Sequence, residues 1–142
     1  MSLAVKGTQF PNLFLTRAEG TSLELYDLWK KEHCLLMLLK APNPDALAFI
    51  RHYQDNARLF EWLGTRLIVV YPRREEVPTP WPAPGYPACL FGGYLPQGVE
   101  WDKAYVISKN RTLMEVYPEP AMLSVARVEK DLLYWEANHC LP

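Results

Sequence analysis

Two unbroken apolar runs, Cys34-Leu35-Leu36-Met37-Leu38-Leu39 and Leu67-Ile68-Val69-Val70-Tyr71, constrain this chain more than anything else in it. Apolar runs of that length without alternation are the pattern of strands covered on both faces. Between them Asn43 stands as an N-cap and Pro44 at the first helical position, where its missing N–H costs nothing. Asp45 in the first turn favours the helix dipole. Ala46, Phe49, Ile50, Tyr53, Ala57, Phe60 and Leu63 then recur at three- and four-residue steps. The spacing predicts one long amphipathic helix, ended by Gly64. Strand, helix and strand in that order imply a right-handed parallel crossover and an α/β domain.

The flanks add a hairpin at each side of this unit. A short apolar piece within residues 7–16, a turn at Arg17-Ala18-Glu19-Gly20 and an extended piece at 22–25 read as an N-terminal hairpin. Residues 26–31 have apolar positions one helical turn apart and predict a short helix. Ala104–Ile107 and Leu113–Tyr117 predict two strands joined by a turn over 108–112, and Ala121, Val125, Val128, Leu132 and Trp135 form the stripe of a final helix. Residues 72–101 differ in kind. They hold seven of the 13 prolines and four of the seven glycines, so regular structure should be scarce there. Five aromatics punctuate this loop: Trp81, Tyr86, Phe91, Tyr94 and Trp101. Either they anchor a protein partner, as Trp and Tyr do at interfaces, or they fold back to complete the core. A small-molecule pocket built from the same rings is a third reading.

At 142 residues the chain fits a single domain spanning 1–142, with 72–101 as an insertion loop inside it. A net charge of −1 argues against an electrostatically driven nucleic-acid binder. No apolar run reaches the roughly 18 residues of a membrane span, and the first residues lack the apolar core of a signal peptide. A cytoplasmic location is the expectation. Three scattered cysteines, Cys34, Cys89 and Cys140, make neither a disulfide framework nor a Cys-x-x-Cys pair. His33 and Cys34 are adjacent on a strand and face opposite sides, so no metal site is expected. No cofactor is expected either, because phosphate-binding glycine loops and nucleophile elbows are missing. His52 lies on the polar face of the long helix, and Arg73-Arg74-Glu75-Glu76 reads as a solvated turn after a strand. Cys34 is expected as a small buried hydrophobe. Cys89 lies in the irregular loop, where exposure is open to it, but apolar Ala88, Leu90 and Phe91 surround it and no cation stands near it in sequence to lower its pKa. A structural thiol is the expectation there and a relocated nucleophile the alternative. Cys140 belongs to the tail.

Three stretches resemble the peroxiredoxin and thioredoxin-like redoxin family. Gly7-Thr8-Gln9-Phe10-Pro11-Asn12-Leu13-Phe14-Leu15 is similar to its opening segment, Gly20–Trp29 to the stretch after it, and Asp102–Leu113 to its late hairpin. The resemblance covers most of the chain. It implies a thioredoxin-like α/β fold: a central mixed sheet, an N-terminal β-hairpin extension and flanking helices. It also implies a nucleophilic cysteine after the first central strand, at the start of the long helix, where free N–H groups and the dipole stabilise a thiolate. The corresponding residues here are Pro42, Asn43, Pro44, Asp45 and Ala46. The family's proline before the late strand is replaced by Glu100-Trp101-Asp102-Lys103. The expectation is therefore a redox-inactive redoxin with no catalytic residue, serving as a binding or accessory module for a protein partner. A homodimer is a further expectation from the resemblance. The alternative is a thiol peroxidase or disulfide oxidoreductase that uses Cys89 as a relocated nucleophile.

Overall fold

The structure is a computed structural model that describes residues 5–28 and 30–139, with the backbone alone for Asn138 and His139. Cys140 lies outside the described residues. The two apolar runs form the central strands β3 (His33–Leu38) and β4 (Thr65–Tyr71), paired in parallel from His33↔Thr65 to Leu38↔Val70. Every residue of β3 is buried. The crossover between them is not one helix but two, α1 (Pro44–Asp55) and α2 (Ala57–Trp62), which corrects the expectation of a continuous helix. Asn56 breaks it, with φ −110° and ψ 26°, and its side-chain amide donates to the His52 carbonyl at 2.7 Å. Such local bonding is how Asn competes with helix propagation. Gly64 ends α2 in the left-handed region at φ +65°, its N–H bonding the Glu61 carbonyl.

The N-terminal hairpin forms as β1 (Phe14–Arg17) and β2 (Ser22–Glu24). After β2 the chain makes a 3-10 turn over Leu25–Leu28 rather than the short α-helix expected from its spacing. Within the proline-rich loop a two-residue strand, β5 (Cys89–Leu90), runs parallel to β4 and antiparallel to β1. The late strands are β6 (Lys103–Ile107) and β7 (Leu113–Tyr117), and the final helix is α3 (Val125–His139). Ala121 is not part of its stripe, because it lies exposed in a 3-10 turn over Pro120–Met122. The sheet order is β2-β1-β5-β4-β3-β6-β7, a mixed seven-stranded sheet.

Two apolar layers clothe this sheet, and strand alternation sorts residues between them. Leu35, Met37, Leu67, Val69 and Tyr71 face α1, α2 and α3, where Phe49, Ile50, Tyr53, Phe60, Val128 and Leu132 meet them. Cys34, Leu36, Leu38, Ile68 and Val70 face the other way, beneath Phe10, Leu13, Leu15, Leu25 and Leu28 of the N-terminal segment. The loop 72–101 serves both layers. Val77, Trp81, Ala83 and Tyr86 pack on the helical side, then β5 crosses the sheet, and Phe91, Leu95, Val99 and Trp101 pack on the hairpin side. Among the described residues no helix is long and apolar enough to cross a membrane.

Candidate functional site

The carboxyl end of β3 and the amino end of α1 meet the chain entering β6. Asn43 is extended, and its side-chain oxygen accepts from the Ala46 N–H at 3.0 Å. Pro44 occupies the first turn, Asp45 points to solvent and Ala46 is wholly buried. Across from them Asp102 takes a left-handed conformation at φ +64°. Its N–H bonds the Leu38 carbonyl and its carboxylate accepts from the Lys40 N–H at 3.1 Å. These bonds fix the rim formed by residues 40–46 and 101–102. Beside the rim lies an open groove of about 480 Å³ lined by Lys40, Tyr94, Leu95, Val99, Trp101 and Asp102. An ammonium, a phenol, an indole and two carboxylates, Glu100 and Asp102, border it, a set suited to binding.

The five loop aromatics divide sharply by position. Trp81 and Tyr86 sit half-buried on the helical layer, the indole N–H of Trp81 donating to the Tyr86 carbonyl at 3.0 Å. Their rings stand edge-on to Tyr71 and Tyr53, with centroids 6.1 and 5.1 Å apart. Phe91 and Trp101 are half-buried on the opposite layer. Tyr94 alone of the five is fully exposed, at 100%. Four of the rings therefore do core work, and Trp101 and Tyr94 are the two that reach the rim groove.

Neither described thiol stands at this rim. Cys89 is buried at 1% exposure, as its apolar neighbours in sequence suggested, but as a strand residue rather than a loop one. Its register partner on β1 is Arg17. Burial pushes its pKa up to about 11, while the guanidinium groups of Arg17 and Arg66 pull weakly the other way. The expectation of no nearby cation is thus corrected in space, though desolvation still prevails. Arg17, a turn residue by its sequence setting, is the last residue of β1, two after the buried Leu15, and shares its inner face. Arg66 stands just before the apolar run at 67–71 and is drawn into β4 with it. Cys34 is buried and its thiol is also raised by burial, against the opposing charge of Arg66. Both cysteines are free.

His33 faces away from Cys34, as alternation requires. Its Nδ1 accepts from the Lys109 N–H at 2.9 Å, so Nε2 carries the proton and bonds the Glu136 carboxylate at 2.6 Å. That arrangement fastens β3 to α3. No group of three His, Cys, Asp or Glu residues placed to hold a metal ion occurs among the described residues. His52 is exposed on α1, and the Arg73 guanidinium pairs with Glu76 at 3.0 Å within its turn.

No family model matches the chain, and no curated protein matches it. Solved structures do. A peroxidoxin, BcpB from Mycobacterium tuberculosis, superposes with a TM-score of 0.68 over 94% of this chain and 97% of its own, at 17% identity. The yeast mitochondrial 1-Cys peroxiredoxin gives 0.70 over 96% and 79%, at 12% identity. A protein assigned as the thiol:disulfide interchange protein DsbE, from Chlorobium tepidum, gives 0.72 over 94% and 98%, at 18% identity. The fold is thioredoxin-like. On this thioredoxin-like frame the end of β3 and the start of α1 is the place where the resemblance puts a nucleophile. Here that turn presents the amide-capping Asn43, an exposed carboxylate and a buried methyl.

Proposed function

We propose that this chain is a thioredoxin-fold binding or accessory protein that works without a peroxidatic thiol. The observation carrying this reading is the amino end of α1, where Asn43 caps the helix and Asp45 and Ala46 fill the first turn. A thiolate would be stabilised at that position by unpaired N–H groups and the dipole; Asp45 offers no nucleophile there and Ala46 points into the core. Partner contact uses the groove lined by Lys40, Tyr94, Trp101 and Asp102, beside the start of the turn that leads to α1. A protein partner fits the wholly exposed Tyr94, since aromatic anchors dominate interface energetics. A second copy of the chain is one such partner, and a cytoplasmic setting agrees with the two free cysteines among the described residues.

The second reading is a relocated nucleophile at Cys89, which the two guanidinium groups favour and burial opposes. One experiment separates them. Peroxide is added to the full chain, sulfenic acid is trapped and mapped by mass spectrometry, and turnover of peroxide and of a disulfide substrate is followed alongside. The expected result is slow, unselective labelling and no turnover. Fast labelling of Cys89 with turnover that Cys89→Ser abolishes would reverse the assignment.

A further inference from the structure

A second site lies at the opposite end of the sheet. β4 is seven residues long, yet its partner β5 is two. Their ladder covers only Val70↔Cys89 and Tyr71↔Leu90, so among the described residues Thr65–Val69 have no strand on that side. Since β5 separates β4 from β1, the gap left beyond its end is one strand wide, two inter-strand spacings of roughly 4.8 Å. This gap is an actual cleft of about 340 Å³, with Arg66, Leu67 and Ile68 on one wall and Arg17 and Leu23 on the other.

The backbone facing the cleft is set by register. Gly64 and Val70 accept from His33 and Leu39 on β3, whereas Tyr71 accepts from Phe91 on the β5 side. By alternation the amide and carbonyl of Leu67 and the amide of Val69 point into the gap. The Thr65 carbonyl is already engaged by the Tyr53 hydroxyl at 3.1 Å. Unpaired edge groups of this kind are templates for an added strand.

Charge gives the slot a direction. The chain entering β5, Pro87 and Cys89, closes its Val70 end, where Arg17 is the register partner of Cys89, while Arg66 lies farther back along β4 beside Glu32. Arg17 has no carboxylate within 4.0 Å among the described residues; its guanidinium donates to the Thr21 hydroxyl at 3.1 Å. Glu32, paired with Arg66 at 3.6 Å, and Glu61 also line the cleft.

We propose that this slot accepts the extended carboxyl-terminal end of a partner protein. The tail adds as a short strand parallel to β4, bonds the Leu67 and Val69 backbone, and places its terminal carboxylate on Arg17. A closed end suits a chain terminus rather than a segment passing through. A cationic residue upstream in the tail meets Glu32 and Glu61. This site goes beyond the rim groove and shares no residue with it.

The test starts from a random heptapeptide library displayed with free carboxyl termini and selected on the full chain. The best peptide is made as the free acid and as the carboxamide, and binding is read by fluorescence polarisation with amide hydrogen exchange in parallel. The expected result has three parts. The acid binds about tenfold tighter than the amide, Arg17→Gln removes that preference, and the Leu67 and Val69 amides become protected while the backbone at Tyr94 does not. A tenfold preference corresponds to about 1.4 kcal/mol, the scale of one charge-assisted hydrogen bond. Failure to select any peptide overturns the proposal. So does a peptide indifferent to amidation, or one that protects the rim around Tyr94, which would support the groove reading instead. The acid-against-amide comparison is made on the unmodified chain and is untouched by any folding defect in the variant.

Discussion

At the scale of single residues, burial decides the chemistry of this protein more than proximity does. Cys89 has two cations within reach and still titrates high, because removing a thiolate from water outweighs their attraction. The sign of the consequence is definite. With a folded pKa of about 11 against an ordinary 9.0, the folded state holds this proton after the unfolded state has lost it. The contribution is whole below pH 9 and disappears as pH rises through 9 to 11. Cys34 acts in the same direction. Urea unfolding between pH 8 and 11 should therefore show a fall in stability that is shallower, though not absent, in Cys89→Ala. Tyr71 shows the same physics in a neutral group. Its hydroxyl is buried and finds no hydrogen-bond partner among the described residues, while its ring packs against Trp81. Tyr71→Phe removes the orphaned oxygen and keeps the ring, so it should raise stability by about 1 kcal/mol, read as a higher urea midpoint.

At the scale of elements, most of the fold was legible and the reasons for the exceptions are local. The apolar runs at 34–39 and 67–71 became β3 and β4 because a central strand needs apolar groups on both faces. The cap at Asn43 was equally plain, and the side-chain bond to Ala46 realises it. Asn43→Ala should cost about 1 kcal/mol in denaturant unfolding, with Asn43→Ser recovering most of the loss. The break at Asn56 was missed because the apolar stripe from Tyr53 to Phe60 continues across it; the rings stack at 3.9 Å whether or not the backbone is continuous. β5 was missed for a different reason. A two-residue strand among prolines has no periodicity to detect, and it exists only because β1 and β4 supply ladders on both sides. That single omission left Cys89 in a loop by sequence where the structure has it in a strand. The rim was read more fully than the slot, since Pro42 to Ala46 are contiguous while Arg17 reaches Arg66 and Leu67 only through the topology.

On the scale of the whole molecule, the loop 72–101 is a structural member of both layers, and under the proposed binding role its aromatics separate stability from recognition. Trp101→Ala should lower both stability and partner affinity, since its ring is half-buried, whereas Tyr94→Ala should leave the unfolding midpoint unchanged and weaken only binding. The position of β5 has a further consequence. The hairpin β1–β2 joins the rest of the sheet through two residue pairs, Thr16↔Leu90 and Arg17↔Cys89. β3, by contrast, holds β4 through six pairs and β6 through five. So short a seam divides the protein into cooperative units of unequal persistence. Native-state hydrogen exchange should find the amides of β1 and β5 opening together, well before those of β3 and β4, and the excursion that releases the hairpin is the same one that lets solvent reach the Cys89 sulfur. Thiol labelling under native conditions then becomes a clock for that partial opening rather than a measure of nucleophilicity.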